Sequence, residues 1–282
     1  MSRSHTLRPA DAADLGAVWL AVKAARTFES REALESFWRE APWRVQVSEA
    51  GDAAIVERWR QHVGLLAVKG LWCAERHMSA ILAELLSLAR TQGFDDLLSP
   101  LVPETLIAPY EAAGMRIAHR GVTMRVVARE TREVGPAPDI SLRLAGLADL
   151  DALLVADEAS FTPFWRYDAP SLTTLLEDHR AVVATCDGEV IGYTLCTVDR
   201  DEGMLGRLAV VPQARQRGIG AALLDDALGY LARAGVRGVT LYTQEENRIS
   251  RALYESRGFR QSREASCFLI FGPDADVVSS GA

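Results

Sequence analysis

The sequence has few features of a disulfide-stabilised, metal-binding or membrane protein. Its four cysteines include no Cys-x-x-Cys pair, and its five histidines are scattered without ligand spacing. No apolar run approaches the length of about 18 residues that spans a bilayer, and the N-terminus lacks the apolar core of a secretion signal. We therefore expect a cytoplasmic protein with reduced thiols, no metal and no membrane partner. The histidines are His5, His62, His77, His119 and His179.

An excess of positive charge is also missing. The net charge is −7 and the sequence pI is about 5.4. This balance argues against a general nucleic-acid-binding surface and is compatible with a cationic substrate. The chain has 282 residues, 49% of them hydrophobic, which leaves room for two globular domains of about 140 residues each.

The most informative segment that is present lies near residue 215. An apolar run over 208–211 stops at a proline, and a basic turn with the pattern Arg215-x-x-Gly218-x-Gly220 leads into a helix with an apolar stripe. The first-turn N–H groups of a helix and its dipole favour an anion, and glycines let a phosphate approach the backbone. The segment therefore predicts an anion site, with Arg217 adding charge beside it.

A second segment follows 29 residues after Gly218 and ends at Phe259. It predicts a helix that is capped by Asn247 and closed by Gly258, with a strand beginning at Phe259. Between the two segments, residues 236–243 have the composition of a β-strand.

In this order and at this distance, the two segments resemble the cofactor motifs of the GNAT superfamily of acyl-CoA-dependent N-acyltransferases. The basic glycine turn is similar to the pyrophosphate loop of that family. Asn247 and the pattern Tyr254-(x)3-Gly258-Phe259 are similar to its second motif. The resemblance implies one bound acetyl-CoA per chain. The residues expected to hold it are Leu208, Ala209, Val210, Arg215, Gln216, Arg217, Gly218, Ile219, Gly220, Ala221, Asn247, Ser250 and Tyr254.

The chain also contains an internal repeat. Residues 7–18 match 142–153, and residues 110–116 match 254–260 in the same order. Two ordered matches predict a duplicated domain. We expect an α/β protein with two tandem GNAT-like domains, each a mixed, mostly antiparallel twisted sheet flanked by helices. The predicted domains are 1–130 and 139–272, joined by a linker over 129–139 with one glycine and two prolines. In plan, this organisation resembles mycothiol synthases and several antibiotic-modifying enzymes.

The two halves differ at the predicted anion site. Where the C-terminal half has its glycine turn, the N-terminal half reads 71–80 without a glycine, and Glu75 would repel a pyrophosphate. A helix is still predicted there from about Ser79 to Thr91, closed by Gly93. The sequence therefore predicts a degenerate N-terminal half without a cofactor and a single acetyl-CoA in the C-terminal half.

For the C-terminal half the composition predicts an ordered series of elements. The helices are expected at 147–160, 171–178, after Gly220, and at 249–257; the strands are expected at 141–144, 181–186, 190–198, 203–211, 236–243 and near Phe268, with a hairpin turn at 187–188.

Two residues are candidates for the chemistry. The resemblance implies that Tyr254 sits near the thioester sulfur, where a phenol can protonate the departing thiolate. A base is needed because an alkyl ammonium with a pKa near 10 is only about one part in a thousand neutral at pH 7. Since Arg207 follows a glycine where some family members carry an acid, Glu158 is the candidate base, acting through water. A packing tyrosine and a solvated helix-face glutamate are the structural alternatives.

The acceptor is expected to lie beside Phe161 and Trp165. The pattern Glu158-(x)2-Phe161-(x)3-Trp165 is similar to the acceptor-side segment of ribosomal-protein alanine N-acetyltransferases, but Phe164-Trp165-Arg166 stands where those have Pro-Trp-Ser. We favour transfer of acetyl to a primary amine of a small molecule by direct attack in a ternary complex, with the protein a monomer or homodimer. The alternatives are a protein N-terminal acetyltransferase and a non-catalytic acyl-CoA-binding sensor.

Overall fold

A computed structural model describes residues 5–25, 27–128 and 139–272. Apart from Asp139, the predicted linker over 129–139 lies outside the described residues. The chain divides into two compact units. Within the described residues, unit 1 holds those up to His119 and those from Ser266 onward, and unit 2 holds those from Arg120 to Ala265.

Unit 1 is an open sheet with helices around it. Its elements are β1 Arg8–Pro9, α1 Leu15–Ala25, α2 Arg31–Glu40, β2 Val45–Val47, β3 Ala53–Arg58, β4 Leu65–Trp72, α3 Glu75–Thr91, β5 Asp96–Leu98, β6 Val102–Pro103, α4 Ala108–Ala112 and the start of β7 Arg116–Val127. The strands pair in the order β1-β2-β3-β4-β5, and only the β4–β5 pair is parallel. Helix α3 packs its buried face, including Leu82 and Leu85, against Leu66 and Val68 of β4.

Unit 2 repeats this plan with longer strands. Its elements are β8 Ser141–Leu144, α5 Leu150–Ser160, α6 Ala169–Asp178, β9 Arg180–Cys186, β10 Glu189–Asp199, β11 Glu202–Val210, α7 Ile219–Arg233, β12 Gly238–Gln244, α8 Arg248–Ser256 and the start of β13 Arg260–Ile270. The order is β12-β11-β10-β9-β8, and only β11–β12 is parallel. The apolar stripe predicted for α7 is confirmed, because Leu224 and Leu231 pack on Val239 and Leu241.

Each unit includes a strand segment that comes from the other half of the sequence. In unit 2, residues 121–127 of β7 pair antiparallel with the whole of β12. In unit 1, Ser266 and Cys267 of β13 pair with β6, and Ile270 pairs with Leu98 of β5. The compact units therefore differ from the predicted halves 1–130 and 139–272 by one strand segment each.

The two units share a backbone irregularity. Gly206 is an extra residue in β11, since Leu195 pairs with Arg207 while the next residue, Cys196, pairs with Leu205. Lys69 is the extra residue at the same place in β4, between the partners of Ile55 and Val56. A bulge is a specific feature that is retained within families. Its recurrence supports the duplication predicted from the repeat.

The element predictions for the C-terminal half are confirmed with shifts of a few residues, and residues 147–149 form a separate 3-10 turn before α5. Asn247 caps α8 by accepting from Ser250 N at 3.1 Å, and Gly258 closes it with φ of +86°. The four cysteines form no disulfide. Among the described helices, none combines the length and apolar character needed to cross a bilayer.

Candidate functional site

The turn before α7 has the backbone conformation of an anion-binding loop. Gln216 and Gly218 adopt left-handed φ values of 63° and 76°. Gly218 is the N-cap residue of α7, and it has no side chain with which to cap the helix. The N–H groups of the first turn, from Ile219 to Ala221, are therefore open to an external anion, where the helix dipole is favourable.

The two arginines of the turn lie beside this helix end. Arg215 Nε donates to Val210 O at 3.2 Å. Arg217 forms an ion pair with Asp139, and its hydrogen bond to Cys186 and the Asp139 carboxylate raise its pKa. Since Arg217 is partly exposed, it can exchange its carboxylate partner for another anion with little loss of stability.

Strands β11 and β12 separate next to this loop. Their parallel register ends at Leu205 opposite Leu241, immediately before the bulge at Gly206. Beyond the bulge, β11 stays paired with β10 up to Val210, and Val211 N donates to Ile191 O at 3.0 Å.

The hydrogen bonds of β11 beyond the bulge follow the antiparallel alternation. In an antiparallel pair, every second residue directs its N–H group at the neighbouring strand. Because the N–H of Val211 bonds to β10, the N–H groups of Ala209 and Arg207 also point toward β10. The N–H groups of Leu208 and Val210 then point away from β10, toward the side that β12 has left. This is an open strand edge to which an extended ligand can add main-chain hydrogen bonds.

Tyr254 lies on α8 in the core of unit 2. It is 7% exposed, and its ring lies 5.8 Å from that of Phe259. Burial raises the pKa of Tyr254 to about 12, so its hydroxyl stays protonated at neutral pH.

A buried ion pair lies on the other side of β11. Asp157 is fully buried, and Arg207 is almost so. Arg207 donates to Asp157 Oδ1 from Nε at 2.9 Å and from Nη2 at 2.5 Å. Tyr193 donates to the same oxygen, and burial raises the pKa of Tyr193 well above its usual value. Tyr167 N donates to Asp157 Oδ2 at 2.9 Å, so both oxygens of the carboxylate are engaged.

Aromatic side chains surround the Arg207 guanidinium. Its central carbon lies 3.4 Å from the ring centroid of Phe161 and 4.4 Å from that of Tyr167. Its Nη2 also donates to Trp165 O at 2.8 Å. The Trp165 ring lies 6.3 Å from that of Tyr242 on β12. The structure thus brings the predicted acceptor residues Phe161 and Trp165 together around one residue of β11.

Glu158 has a different environment from its neighbour Asp157. Its side chain is 71% exposed and pairs with Arg166 at 3.2 Å. Arg166 Nε in turn donates to Phe161 O at 3.0 Å, so this hydrogen bond joins two residues of the loop that follows α5.

Sequence reasoning missed the network of Asp157, Tyr193 and Arg207. The only signal was that Asp157 falls on the apolar face of α5 and Tyr193 in an apolar strand. Neither feature identifies the partner, because Asp157 is 36 positions from Tyr193 and 50 from Arg207.

Unit 1 lacks a counterpart of the anion loop. Eight residues, 211–218, connect β11 to α7, whereas Cys73 and Ala74 alone connect β4 to α3. No residue of 71–80 has a positive φ. The helix predicted from Ser79 begins at Glu75 for the same reason: the loop is absent, and its first turn follows the strand at once.

Comparisons with known proteins place this site in a family. Residues 150–259, all within unit 2, match the family described as "Acetyltransferase (GNAT) family". The chain is 37% identical over 98 residues to the "Uncharacterized N-acetyltransferase YhfO" of Bacillus subtilis, covering 32% of this chain and 66% of that protein. It is 41% identical over 91 residues to a mycothiol acetyltransferase of Beutenbergia cavernae, covering 32% of this chain and 29% of that one. It is 33% identical over 78 residues to the bS18-alanine N-acetyltransferase of Escherichia coli K12, covering 28% and 53%.

Solved structures match over nearly the whole chain. A tandem GNAT protein from the clavulanic acid biosynthesis pathway has a TM-score of 0.67 at 18% identity, over 95% of this chain and all of that one. A GCN5-related N-acetyltransferase from Sphaerobacter thermophilus has a TM-score of 0.62 at 19% identity, over 94% of both. Residues 150–259 belong to the GNAT family, and the chain has a tandem GNAT fold. Its sequence matches span less than two thirds of the length of these curated relatives.

Proposed function

We propose that the protein is an acetyl-CoA-dependent N-acetyltransferase that binds one acetyl-CoA in unit 2 and acetylates a primary amine of a small molecule. The observation that carries this proposal is the juxtaposition on β11 and α7. A bulge at Gly206, an open strand edge over 208–210 and an uncapped helix end at Gly218 follow one another along one stretch of chain.

The chain's own groups suit the cofactor. The first-turn N–H groups of α7 would bind the pyrophosphate, and Arg215 and Arg217 would add charge. The N–H groups of Leu208 and Val210, with Ala209 between them, would hold the extended arm by main-chain hydrogen bonds. Asn247 and Ser250, which form the start of α8, complete the predicted cofactor residues.

Acetyl-CoA supplies the acetyl group and a thiolate that can leave. The amine nitrogen would form the new C–N bond and the C–S bond would break, while the nitrogen would lose one proton to Glu158 through water. An N–H of β11 just beyond the bulge is suited to stabilise the oxyanion, and such a donor contributes about 3 kcal/mol in acyl transfer. Tyr254 Oη would give its proton to the sulfur, and Tyr254 would be restored by a proton from solvent.

The amine would be received by the aromatic segment. Phe161 and Trp165 lie around Arg207 on the strand that carries the open edge. Asp157 is unsuited to act as the base, because both of its oxygens accept hydrogen bonds. Glu158, the next residue, has a solvent-accessible carboxylate and is our proposed base, acting through water.

A protein N-terminus is the second candidate acceptor. The 33% identity to the bS18-alanine enzyme favours it, but the match covers 28% of the chain. The tandem fold and the departure at Phe164-Trp165-Arg166 favour a small molecule. A sensor that only binds acyl-CoA would not need Tyr254 as an acid.

The decisive assay incubates the full chain with acetyl-CoA and a panel of small amines, with an alanine-starting peptide as a separate arm, and measures thiol release. Release with a small amine and not with the peptide supports the proposal. Release with the peptide alone would assign the second candidate. Binding of acetyl-CoA without thiol release in any arm would indicate a sensor that binds acyl-CoA and does not transfer it.

A further inference from the structure

Unit 1 contains a cluster of side chains with no part in acetyl transfer. Asp52, in the turn between β2 and β3, has a side chain that is 6% exposed. His5 Nδ1 lies 2.8 Å from Asp52 Oδ2, and His77 Nδ1 lies 3.5 Å from Asp52 Oδ1. The three residues come from three separate parts of the chain: the segment before β1, a hairpin turn and the first turn of α3.

We propose that His5, Asp52 and His77 form a binding site for a divalent transition-metal ion such as Zn²⁺. Three potential ligand atoms, one from each residue, lie within 4.8 Å of one another. This proposal departs from the expectation from sequence that the histidines bind no metal.

The distances are close to those of a metal centre. With metal–ligand bonds of about 2.0–2.2 Å, neighbouring ligand atoms in a tetrahedral site lie about 3.3–3.6 Å apart. The 3.5 Å from His77 Nδ1 to Asp52 Oδ1 lies in this range, whereas the 2.8 Å from His5 Nδ1 to Asp52 Oδ2 is a hydrogen-bond distance that a bound ion would lengthen. The two histidine rings have centroids 3.5 Å apart, so they must move apart to direct both Nδ1 atoms at one ion.

Two further features point to a ligand. His77 Nδ1 is buried and has no hydrogen-bond partner, although it faces a carboxylate. Ser48 Oγ donates to Asp52 Oδ2 at 2.7 Å and accepts from Asp52 N at 3.1 Å, which fixes the carboxylate. Hydrogen bonds of this kind orient metal ligands in known sites.

The ligand set selects the type of metal. Two imidazoles and one carboxylate suit Zn²⁺ and related transition metals, whereas Mg²⁺ and Ca²⁺ prefer oxygen ligands. Three protein ligands leave one tetrahedral position for water or a small ligand.

The site has a structural counterpart without histidines. In unit 2 the segment before β8, the β9–β10 hairpin and the turn before α7 meet through Asp139, Cys186 and Arg217. There the helix end is available to an anion. In unit 1 the anion loop is absent, and the same corner holds the histidines instead.

The test uses the full chain without an affinity tag, because a histidine tag would bind metal itself. Chelator-treated protein is titrated with Zn²⁺ by calorimetry and with Co²⁺ by visible absorption. We expect one ion per chain, the absorption bands of four-coordinate Co²⁺, and no heat with Mg²⁺. His77→Gln and Asp52→Asn should each weaken Zn²⁺ binding at least tenfold, and Ser48→Ala by about 10- to 100-fold.

His62→Gln is the matched control, since it removes a histidine of unit 1 outside the cluster. It should leave Zn²⁺ affinity unchanged. If Asp52→Asn fails to fold by circular dichroism, His5→Gln and His77→Gln decide alone. Absence of stoichiometric Zn²⁺ binding, or equal binding by wild type, His5→Gln and His77→Gln, would overturn the proposal.

Discussion

Asp157 and Glu158 are adjacent on α5 but meet opposite environments. Asp157 faces the interior and neutralises Arg207, which is enclosed by aromatic rings and a backbone carbonyl. Glu158 faces solvent and pairs with Arg166. A buried charge that loses its partner is costly, whereas an exposed pair contributes little. We therefore propose that Asp157 holds the acceptor-side loop and that Glu158 takes part in proton transfer.

Substitution of these neighbours tests that division. Asp157→Asn leaves the Arg207 charge without its carboxylate and should lower the free energy of unfolding by about 3–5 kcal/mol. Glu158→Gln should change it by less than about 0.5 kcal/mol while lowering kcat about 10²-fold if Glu158 is the base. Urea unfolding and steady-state kinetics measure both. Equal stability of the two variants would contradict the assignment.

Tyr254 is tested by removal of its hydroxyl alone. Tyr254→Phe keeps the ring contact with Phe259, so stability and acetyl-CoA affinity should change little. If the phenol protonates the thiolate, kcat should fall about 10²-fold. Because burial raises the pKa of Tyr254 to about 12, the wild-type kcat should show no loss from its ionisation as pH rises through neutrality. A variant with kcat within twofold of wild type, when chemistry limits turnover, would remove Tyr254 from the mechanism.

At the scale of elements, the main difference between the units is the connection from strand to helix. Glycines at 218 and 220 made the loop of unit 2 predictable, because they mark a left-handed turn and a close approach. The absence of the loop in unit 1 was predicted only as a loss of glycines. Its physical form, a strand that continues to Trp72 and a helix that begins at Glu75, depends on strand length and register.

Gly220 allows a charge test of the loop. A Cβ there would lie 3.4 Å from Leu253 Cδ2 and 3.7 Å from Val210 Cγ2, which are ordinary contacts, so Gly220→Ala should fold normally. Gly220→Asp adds a negative charge where the pyrophosphate would bind and should abolish acetyl-CoA binding. Calorimetry of both folded variants is the measurement. An unchanged dissociation constant for Gly220→Asp would exclude this loop as the cofactor site.

The strand segments 121–127 and 266–270, which lie in the unit of the other half, predict how fragments of the chain behave. A fragment of residues 139–272 lacks residues 121–127, which pair with β12, and keeps 266–270 without its partners in unit 1. Unpaired strand edges promote aggregation. Residues 120–265, which form unit 2, should therefore be soluble and bind acetyl-CoA, while 139–272 should aggregate. Size-exclusion chromatography compares them, and equal monodispersity of the two would contradict the assignment of these strands.

For the molecule as a whole, the duplication, the fold and the turn before α7 followed from patterns in the sequence: two repeated segments, a glycine turn and a capped helix. The side-chain groupings did not. His5, Asp52 and His77 are separated by 47 and 25 positions, and Asp157 meets Arg207 across 50. The pairing of the strands and the packing of α3 and α5 on them bring such residues together, and no local pattern in the sequence specifies these long-range contacts.

The proposed asymmetry of the two units predicts how many acetyl-CoA molecules each chain binds. Unit 2 has the turn, the open strand edge and the uncapped helix end; unit 1 retains the bulge but has no loop between β4 and α3. Calorimetric titration of the intact chain should give one acetyl-CoA per chain, and none in Gly220→Asp. A stoichiometry near two, or one site that persists in Gly220→Asp, would contradict the account.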